Sequence, residues 1–458
     1  MFPVFPTSSL PPSAGTRVPR RAPQRCGPPG LVALLLLAVS ASACQRRPVA
    51  EAPPPYDVVL VALDGVRADH LSLFGYPEPT SPEIEALARE SITYARAVSP
   101  ATWCVPAVAS LSTGLWPSFH GAERAGAGEV GRARAIADDA TTMAEFLARD
   151  GFRTAAFVGN GDELRPGLGF ARGFSHFDAA PDLVRGEVLA ERVADWLARH
   201  SEHSFVFASL ADGGDASDPP ADLASRFAPP ATGASDLPAG GPSQRPTREA
   251  NARRSALHDT RVAAADRALG RLVAALRAAG RWDRSLVVVV GDHGEMLGEH
   301  GLNGHGRPPY EPEVRVPLLV KTPGGRRAGE WVERRVSTLG VFATVLGAVG
   351  IAVPTAVQSR NLDELHPVWV EDVGRDGRRM RAGYDGLHAK VVALEDGDTS
   401  IACAFDLLQD PGEARPDCRP GAAGPLDLAM RWFGQRVRPV HANAEAELPS
   451  RPGAGTDS

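Results

Sequence analysis

The sequence predicts an α/β protein built on a large, mostly parallel sheet flanked by helices, with a small subdomain at its C-terminal end. Three features lead there. Asp57–Leu63 ("DVVLVAL") and Ser285–Gly291 ("SLVVVVG") are continuous apolar runs rich in β-branched residues, the pattern of strands buried on both faces. Between them helical and strand patterns alternate, which calls for crossover connections and so for parallel pairing. Beyond about Ile351 the strand patterns turn short and mixed, so a smaller unit is expected over residues 351–440, with a tail over 441–458.

Residues 1–43 read as a targeting segment. Four arginines precede Leu31–Val39 ("LVALLLLAV"), an apolar run too short for a membrane-spanning helix, which needs about twenty residues, but suited to a secretory signal. "SASAC" follows and ends at Cys44. The segment resembles a bacterial lipoprotein signal with Cys44 as the lipidated residue; the alternative is simple cleavage near Ala43. Both export the chain, to the periplasm, the outer membrane or the cell surface, and the only membrane contact expected is a lipid anchor. Residues 44–56, with "RRPVAEAPPPY", form a proline-rich tether.

The main domain is expected over residues 57–350. Its first strand, Asp57–Leu63, stops at Asp64. "TSPEIEALARES" then gives a helix with Ser81 as N-cap and Pro82 in the first position. In "SPATWCVPAVASLSTG" (Ser99–Gly114) Pro106 marks a helix start, which sets Cys104 at the N-terminus, where free N–H groups favour a thiolate or a bound oxyanion. The bland alternative is a small buried cysteine. "TTMAEFLARDG" reads as helix, Phe152–Val158 as strand, "VRGEVLAERVADWLARH" as helix and Ser204–Leu210 as strand. Residues 212–250 are rich in Pro, Ala, Gly and Ser and predict a long surface excursion. His258–Ala279 keeps Val262, Ala265, Leu269, Leu272 and Leu276 at helical spacing, and the strand Ser285–Gly291 stops at Asp292-His293.

Charge narrows the function. The net charge is −6, and residues 1–43 contribute four arginines and no acid or lysine, so the remainder stands at −10. An acidic body without a basic helix or aromatic platform argues against nucleic-acid binding. An anionic substrate must then be held by local positive charge or by a metal. Of the five cysteines, Cys26 and Cys44 fall in or next to the targeting segment; Cys403 and Cys418 can close a short loop, which leaves Cys104 as the odd thiol.

Two buried strands each end in an aspartate, and ligands of open α/β sheets bind at the carboxyl ends of strands. Asp64 and Asp292, with His293 beside the second, therefore suit a divalent cation. The competing reading is two loop-capping residues. "VVLVALDGVRADHLSLFGYPEPTSPEIEALARES", "SPATWCVPAVASLSTGLWPSFHG", "LGRLVAALRAAGRWDRSLVVVVGDHGEMLGEHGLNGHG" with "RVPLLVKTPG", and "FDLLQDPGE" together resemble the sulfatase family of the alkaline-phosphatase superfamily, in order, from about Asp57 to Glu413. The resemblance implies a large mixed sheet between helices and a small C-terminal antiparallel sheet. It makes Asp64, Asp292, His293 and Cys104 the surroundings of one divalent cation, calcium or magnesium by carboxylate ligation, manganese or zinc by imidazole and thiolate. Cys104 falls where sulfatases carry the cysteine oxidised to formylglycine, and His305 of "NGHG" stands near a lysine of relatives, as a substrate-binding and proton-donating group.

The sequence also departs from the family pattern. The modification motif Cys-x-Pro-x-Arg reads Cys104-Val105-Pro106-Ala107-Val108, without its arginine, so an unmodified thiol is expected. Gly65 stands where many sulfatases have a second acid, "GNGDEL" replaces Gly-Lys-x-His, and Asp212-Gly213-Gly214 replaces Asp-Pro-His. Three readings stay open: hydrolysis of sulfate esters, small or borne on a sulfated glycan; phosphoryl ester chemistry on the same fold; and a silent binding lipoprotein. If Cys44 carries the lipid, Cys44→Ala moves the protein from the membrane to the soluble periplasmic fraction; tight membrane association of that variant defeats the assignment.

Overall fold

The computed structural model describes residues 57–125, 133–214, 220–227, 247–385, 388–396 and 399–419. The targeting segment, Cys44, the tether, the tail over 441–458 and most of the expected excursion (215–219 and 228–246) lie outside the described residues.

The first six strands are β1 (Asp57–Leu63), β2 (Ile92–Val98), β3 (Arg153–Val158), β4 (His176–Ala179), β5 (Ser204–Leu210) and β6 (Ser285–Gly291). Three short ones follow, β7 (Met296–Leu297), β8 (Asn303–Gly304) and β9 (Arg315–Val316), then β10 (Leu318–Lys321) and β11 (Trp331–Ser337). The main sheet runs β11-β2-β10-β6-β1-β5-β3-β4, with β9 paired to β2. β1 lies parallel to both β5 and β6, and β10 is antiparallel to its two neighbours, so the sheet is mixed and mostly parallel, as the sequence predicts.

Alternation along β1 decides what covers each face. Val58, Leu60 and Ala62 join one core with Val105, Val108 and Leu147, and Val59, Val61 and Leu63 join the other with Leu189, Val193, Leu269 and Leu272. The helices that supply these residues are α1 (Pro82–Ala88), α2 (Cys104–Thr113), α3 (Met143–Arg149), α4 (Gly186–Arg199), α5 (Arg248–Ala278) and α6 (Gly340–Ala348). α2, α3 and α6 pack on the first face; α1, α4 and α5 pack on the second.

Several helix ends differ from their sequence reading. α2 begins at Cys104, one half-turn before Pro106. α5 begins at Arg248, not His258, because the Thr247 hydroxyl accepts from the Ala250 amide and caps ten further residues. Ser81 does stand at the N-cap of α1, but its hydroxyl contacts Ser72; the amides of Glu83 and Ile84 donate instead to Asp266 of α5. Likewise Gly186 at the start of α4 donates to Asp212 at 2.8 Å, so that aspartate caps a helix. In α3 the expected start is a full capping box between Thr142 and Glu145.

The C-terminal sheet is antiparallel throughout: β12 (Trp369–Val373), β13 (Arg379–Tyr384), β14 (Ala389–Asp396) and β15 (Thr399–Asp406). The Cys403–Cys418 disulfide closes the chain after β15. A buried ionic knot joins this sheet to the main domain. Lys390 reaches Glu413 at 2.8 Å and Glu311 at 3.1 Å, the Glu311 amide donates to Glu413, and the Tyr384 hydroxyl donates to Glu311. Removing one member strands its partners: Lys390→Met, which keeps volume, should cost about 3–5 kcal/mol, read as a lower urea midpoint with the slope unchanged; an unaltered midpoint shows the knot to be energetically idle.

Candidate active site

Leu63 and Gly291 are register partners on the adjacent parallel strands β1 and β6. The next residue on each strand is an aspartate, so Asp64 and Asp292 leave the sheet side by side. His293 follows, and its Nε2 lies 3.3 Å from Asp64 Oδ1 and 3.9 Å from Asp292 Oδ1. One ligand atom from each of the three lies within 4.8 Å of the others, and all three residues are buried. The backbone fixes them. The Gly65 and His293 amides both donate to Asp292 Oδ1, at 3.2 and 2.7 Å, and His293 Nδ1 is tied to the Gly294 carbonyl at 2.7 Å. That leaves Nε2 as the ligating nitrogen. Gly65 has φ +68°, where a side chain would be strained and would press on the Gly213 carbonyl at 3.2 Å.

Asp292 Oδ2 and His293 Nε2 are buried and have no hydrogen-bond partner. Orphaned polar atoms at this depth are costly unless something outside the chain satisfies them. Two carboxylates and an imidazole, with free donor atoms facing one point, fit a divalent cation. The electrostatics agree. Burial lifts the Asp292 carboxyl to about 7, against the pull of His293 and with the push of Asp64. Burial disfavours the His293 imidazolium, but Asp292 and Asp64 outweigh it and hold that ring's pKa well above its ordinary value.

Cys104, buried at the first position of α2, borders the same cluster. Burial first, then Asp292, Asp64 and Glu163, push its thiol pKa well above the usual range, overriding the helix terminus in the metal-free site. Trp103 before it is held by the C-terminal sheet: Asp372 accepts from the Thr102 amide and hydroxyl and from Trp103 Nε1, at 2.7–3.0 Å.

A cleft of about 140 Å³ opens beside this point, lined among others by Trp103, Glu163, His305, Arg124, Arg165 and Arg375. The His305 ring centroid is 4.9 Å from that of His293. Arg124 stacks on Trp103 at 3.9 Å and donates to the Val373 carbonyl, while its Nη2 is buried without a partner. The sequence reading missed the three arginines and Glu163. The three arginines come from three different loops, and Glu163, in "GNGDEL", shares the loop of Arg165. Arg67 pairs instead with Asp69 and Glu299, His120 braces Ser110 and the Ala122 amide, and His300 stacks on Tyr310.

Residues 56–351 match the family model described as Sulfatase, and the chain belongs to the sulfatase family. It is 24% identical over 342 residues to an ulvan-active sulfatase of Formosa agariphila, covering 68% of this chain and 65% of that protein. The curated relatives it matches are thus spanned over less than two thirds of their length. Among solved structures, the phosphonate monoester hydrolase of Agrobacterium radiobacter superposes with a TM-score of 0.67 at 20% identity, covering 83% of this chain and 95% of that one. A protein solved with its substrate D-glucosamine-2-N,6-O-disulfate gives 0.65 at 15% identity, covering 86% and 100%. These likenesses give the same fold: a large mixed sheet with a C-terminal antiparallel sheet.

Cation binding generates a paired test. The protons that the metal-free site holds on Asp292 and His293 must leave when a cation enters, so calcium or magnesium affinity should rise from about pH 5 to pH 8. Both groups have raised pKa values in the folded site, so the metal-free protein itself should lose stability over that interval. Asp292→Ala should abolish retention of the metal by elemental analysis; full occupancy in that variant removes the site as drawn.

Proposed function

We propose that this protein is an exported, metal-dependent hydrolase of sulfate esters. The observation that carries the reading is the convergence of Cys104, at a helix N-terminus, with the Asp64-Asp292-His293 cluster and the arginine-lined cleft. A divalent cation held by the two carboxylates and the imidazole would be calcium or magnesium by its donor set, with manganese or zinc as the softer alternatives, and would supply Lewis-acid polarisation of the ester's non-bridging oxygens.

The chain's own groups do the rest. Arg124 and the flanking Arg165 and Arg375 attract the anionic ester and hold it over Cys104. The Cys104 group, as thiolate or as formylglycine hydrate, attacks sulfur as the sulfur–oxygen bond to the alcohol breaks; the sulfo group it takes up then leaves as hydrogen sulfate, displaced from the cysteine sulfur by water or expelled from the hydrate as the aldehyde re-forms. His305 delivers the proton that the departing alkoxide takes up. Free amides at the start of α2 meet the oxyanion. The name of the ulvan-active relative and the disulfated sugar bound by the structural neighbour both support a sulfated glycan as substrate. The Cys403–Cys418 disulfide supports an oxidising compartment, in line with an exported, lipid-anchored chain.

One observation favours a second reading. The superposition on a phosphonate monoester hydrolase, with histidine among the candidate ligands, suits phosphoryl or phosphonyl ester cleavage at the same residues. Parallel assays with aryl sulfate, aryl phosphate and aryl phosphonate ester separate the two. Aryl sulfate should turn over fastest; a preference for either phosphorus ester assigns the second reading. Cys104→Ala should reduce kcat by about three orders of magnitude, and Arg124→Ala should raise KM about tenfold with a smaller change in kcat. An active enzyme indifferent to Cys104→Ala takes that residue out of the mechanism, and the mass of the Cys104 peptide tells thiol from formylglycine.

A further inference from the structure

A second cavity, of about 540 Å³, shares no lining residue with the cleft over Cys104. It lies between the β11–β2 end of the main sheet and the turn after β15, and Arg67, Arg96, Arg315 and Arg335 all line it. Arg67 is already answered by Asp69 and Glu299, at 2.7 and 2.8 Å. Of the other three, Arg335 has a 3.5 Å contact with Glu311 and lies over the Tyr384 ring at 4.2 Å, while Arg96 and Arg315 make no ion pair among the described residues. Arg96 and Arg335 are register partners on β2 and β11, so two like charges stand opposite each other across neighbouring strands. Such pairs destabilise a sheet unless something lies between them.

The acids present are too few. Arg335 shares Glu311 with Lys390, at 3.5 and 3.1 Å, and Glu311 also accepts from the Tyr384 hydroxyl. Among the described residues Arg315 makes one long bond, 3.4 Å to the Ala95 carbonyl, and the acid that acts on it, Asp69, is already paired with Arg67. The Nε atoms of Arg315 and Arg335 are buried and lack an acceptor. Arg96 makes no ion pair among the described residues and is exposed to the groove. A guanidinium nitrogen buried without an acceptor is costly, and with Arg96, Arg315 and Arg335 from three strands lining one cavity, the groove carries guanidinium charge that the chain leaves partly unanswered.

We propose that this groove is a second oxyanion site, in which Arg96, Arg315 and Arg335 bind a sulfate or phosphate group. The guanidinium forks present planar pairs of donors that match the oxygens of such a group. Leu407, Leu408 and Pro411 form an apolar lip on one side, and Leu408 is 71% exposed, so a group carried on a larger molecule has a surface to rest on. The site is independent of the reaction at Cys104, since binding here needs neither the cation nor the thiol.

The test is equilibrium binding of two probes, inorganic sulfate and a heparin-derived tetrasaccharide, to the full chain by calorimetry, with no turnover required. The protein should bind at least one probe saturably, with affinity falling as salt rises. Arg96→Ala, an exposed change that leaves the fold intact, should weaken that binding about tenfold, and Arg96→Glu should remove it. Arg124→Ala, in the other cleft, should leave Arg96-dependent binding in place, and Arg96→Ala should leave aryl sulfate turnover unchanged. Tighter binding of the tetrasaccharide identifies a chain-borne group as the ligand; equal or tighter binding of inorganic sulfate identifies the free ion. No saturable binding of either probe, or unaltered affinity in both Arg96 variants, overturns the proposal.

Discussion

Everything at the candidate site depends on one register: Leu63 opposite Gly291 on adjacent parallel strands. Each strand divides its apolar residues between two packed cores, so neither can slip without repacking both. The two aspartates that follow are therefore fixed next to each other by the packing of Val58–Leu63 and Leu286–Val290, far more rigidly than loop residues could be. The cost is electrostatic. Asp64, Asp292 and Glu163 crowd one region, answered among the described residues by His293, with Arg124 acting on Glu163. The arrangement makes physical sense when a cation completes it.

The C-terminal sheet has a structural part in the same economy of charge. Asp372 on β12 fixes Thr102 and Trp103 and so sets the entry to α2, while Glu371 beside it accepts from the Ser118 amide at 2.8 Å and so grips the turn after that helix. The helix that bears Cys104 is thus clamped at both ends by consecutive residues of one strand. Lys390, Glu311 and Glu413 then anchor that sheet to the segment just before β9. Cys104 owes its placement to residues that lie some 270 positions later in the chain.

This explains which parts were legible in the sequence. Fully apolar strands, the helix of "TTMAEFLARDG" and the aspartates at two strand ends are local patterns, and local patterns declare themselves. So did Cys104, through the proline two residues on. What was hidden is assembled across the chain: Arg124, Arg165 and Arg375 meet at one cleft from three loops, and no spacing rule links them. The same holds for Asp266, which caps a helix 180 residues earlier, and for Asp212, whose place in the chain suggested a missing substrate group but whose carboxylate is spent on the Gly186 amide. A residue type can be read from sequence; the partner that consumes it often cannot.

The missing family bases also bear on which ester the proposed chemistry prefers. Asn160 and Asp162 stand where lysine and histidine are common, and Glu163 adds a carboxylate, so this site has less positive charge than the family pattern implies. Arg124, which lines the cleft and acts on Glu163, offsets part of that loss. A sulfate ester carries one negative charge at neutral pH, as a phosphonate monoester does, whereas a phosphate monoester with its second pKa near 6 carries close to two. Against three carboxylates each additional charge on the substrate is repelled, and the repulsion grows as water is excluded. With a cation held by the Asp64-Asp292-His293 cluster, a site of this charge would be matched to a monoanion. That balance of charge, more than the identity of the central atom, separates the proposed substrates from phosphate monoesters.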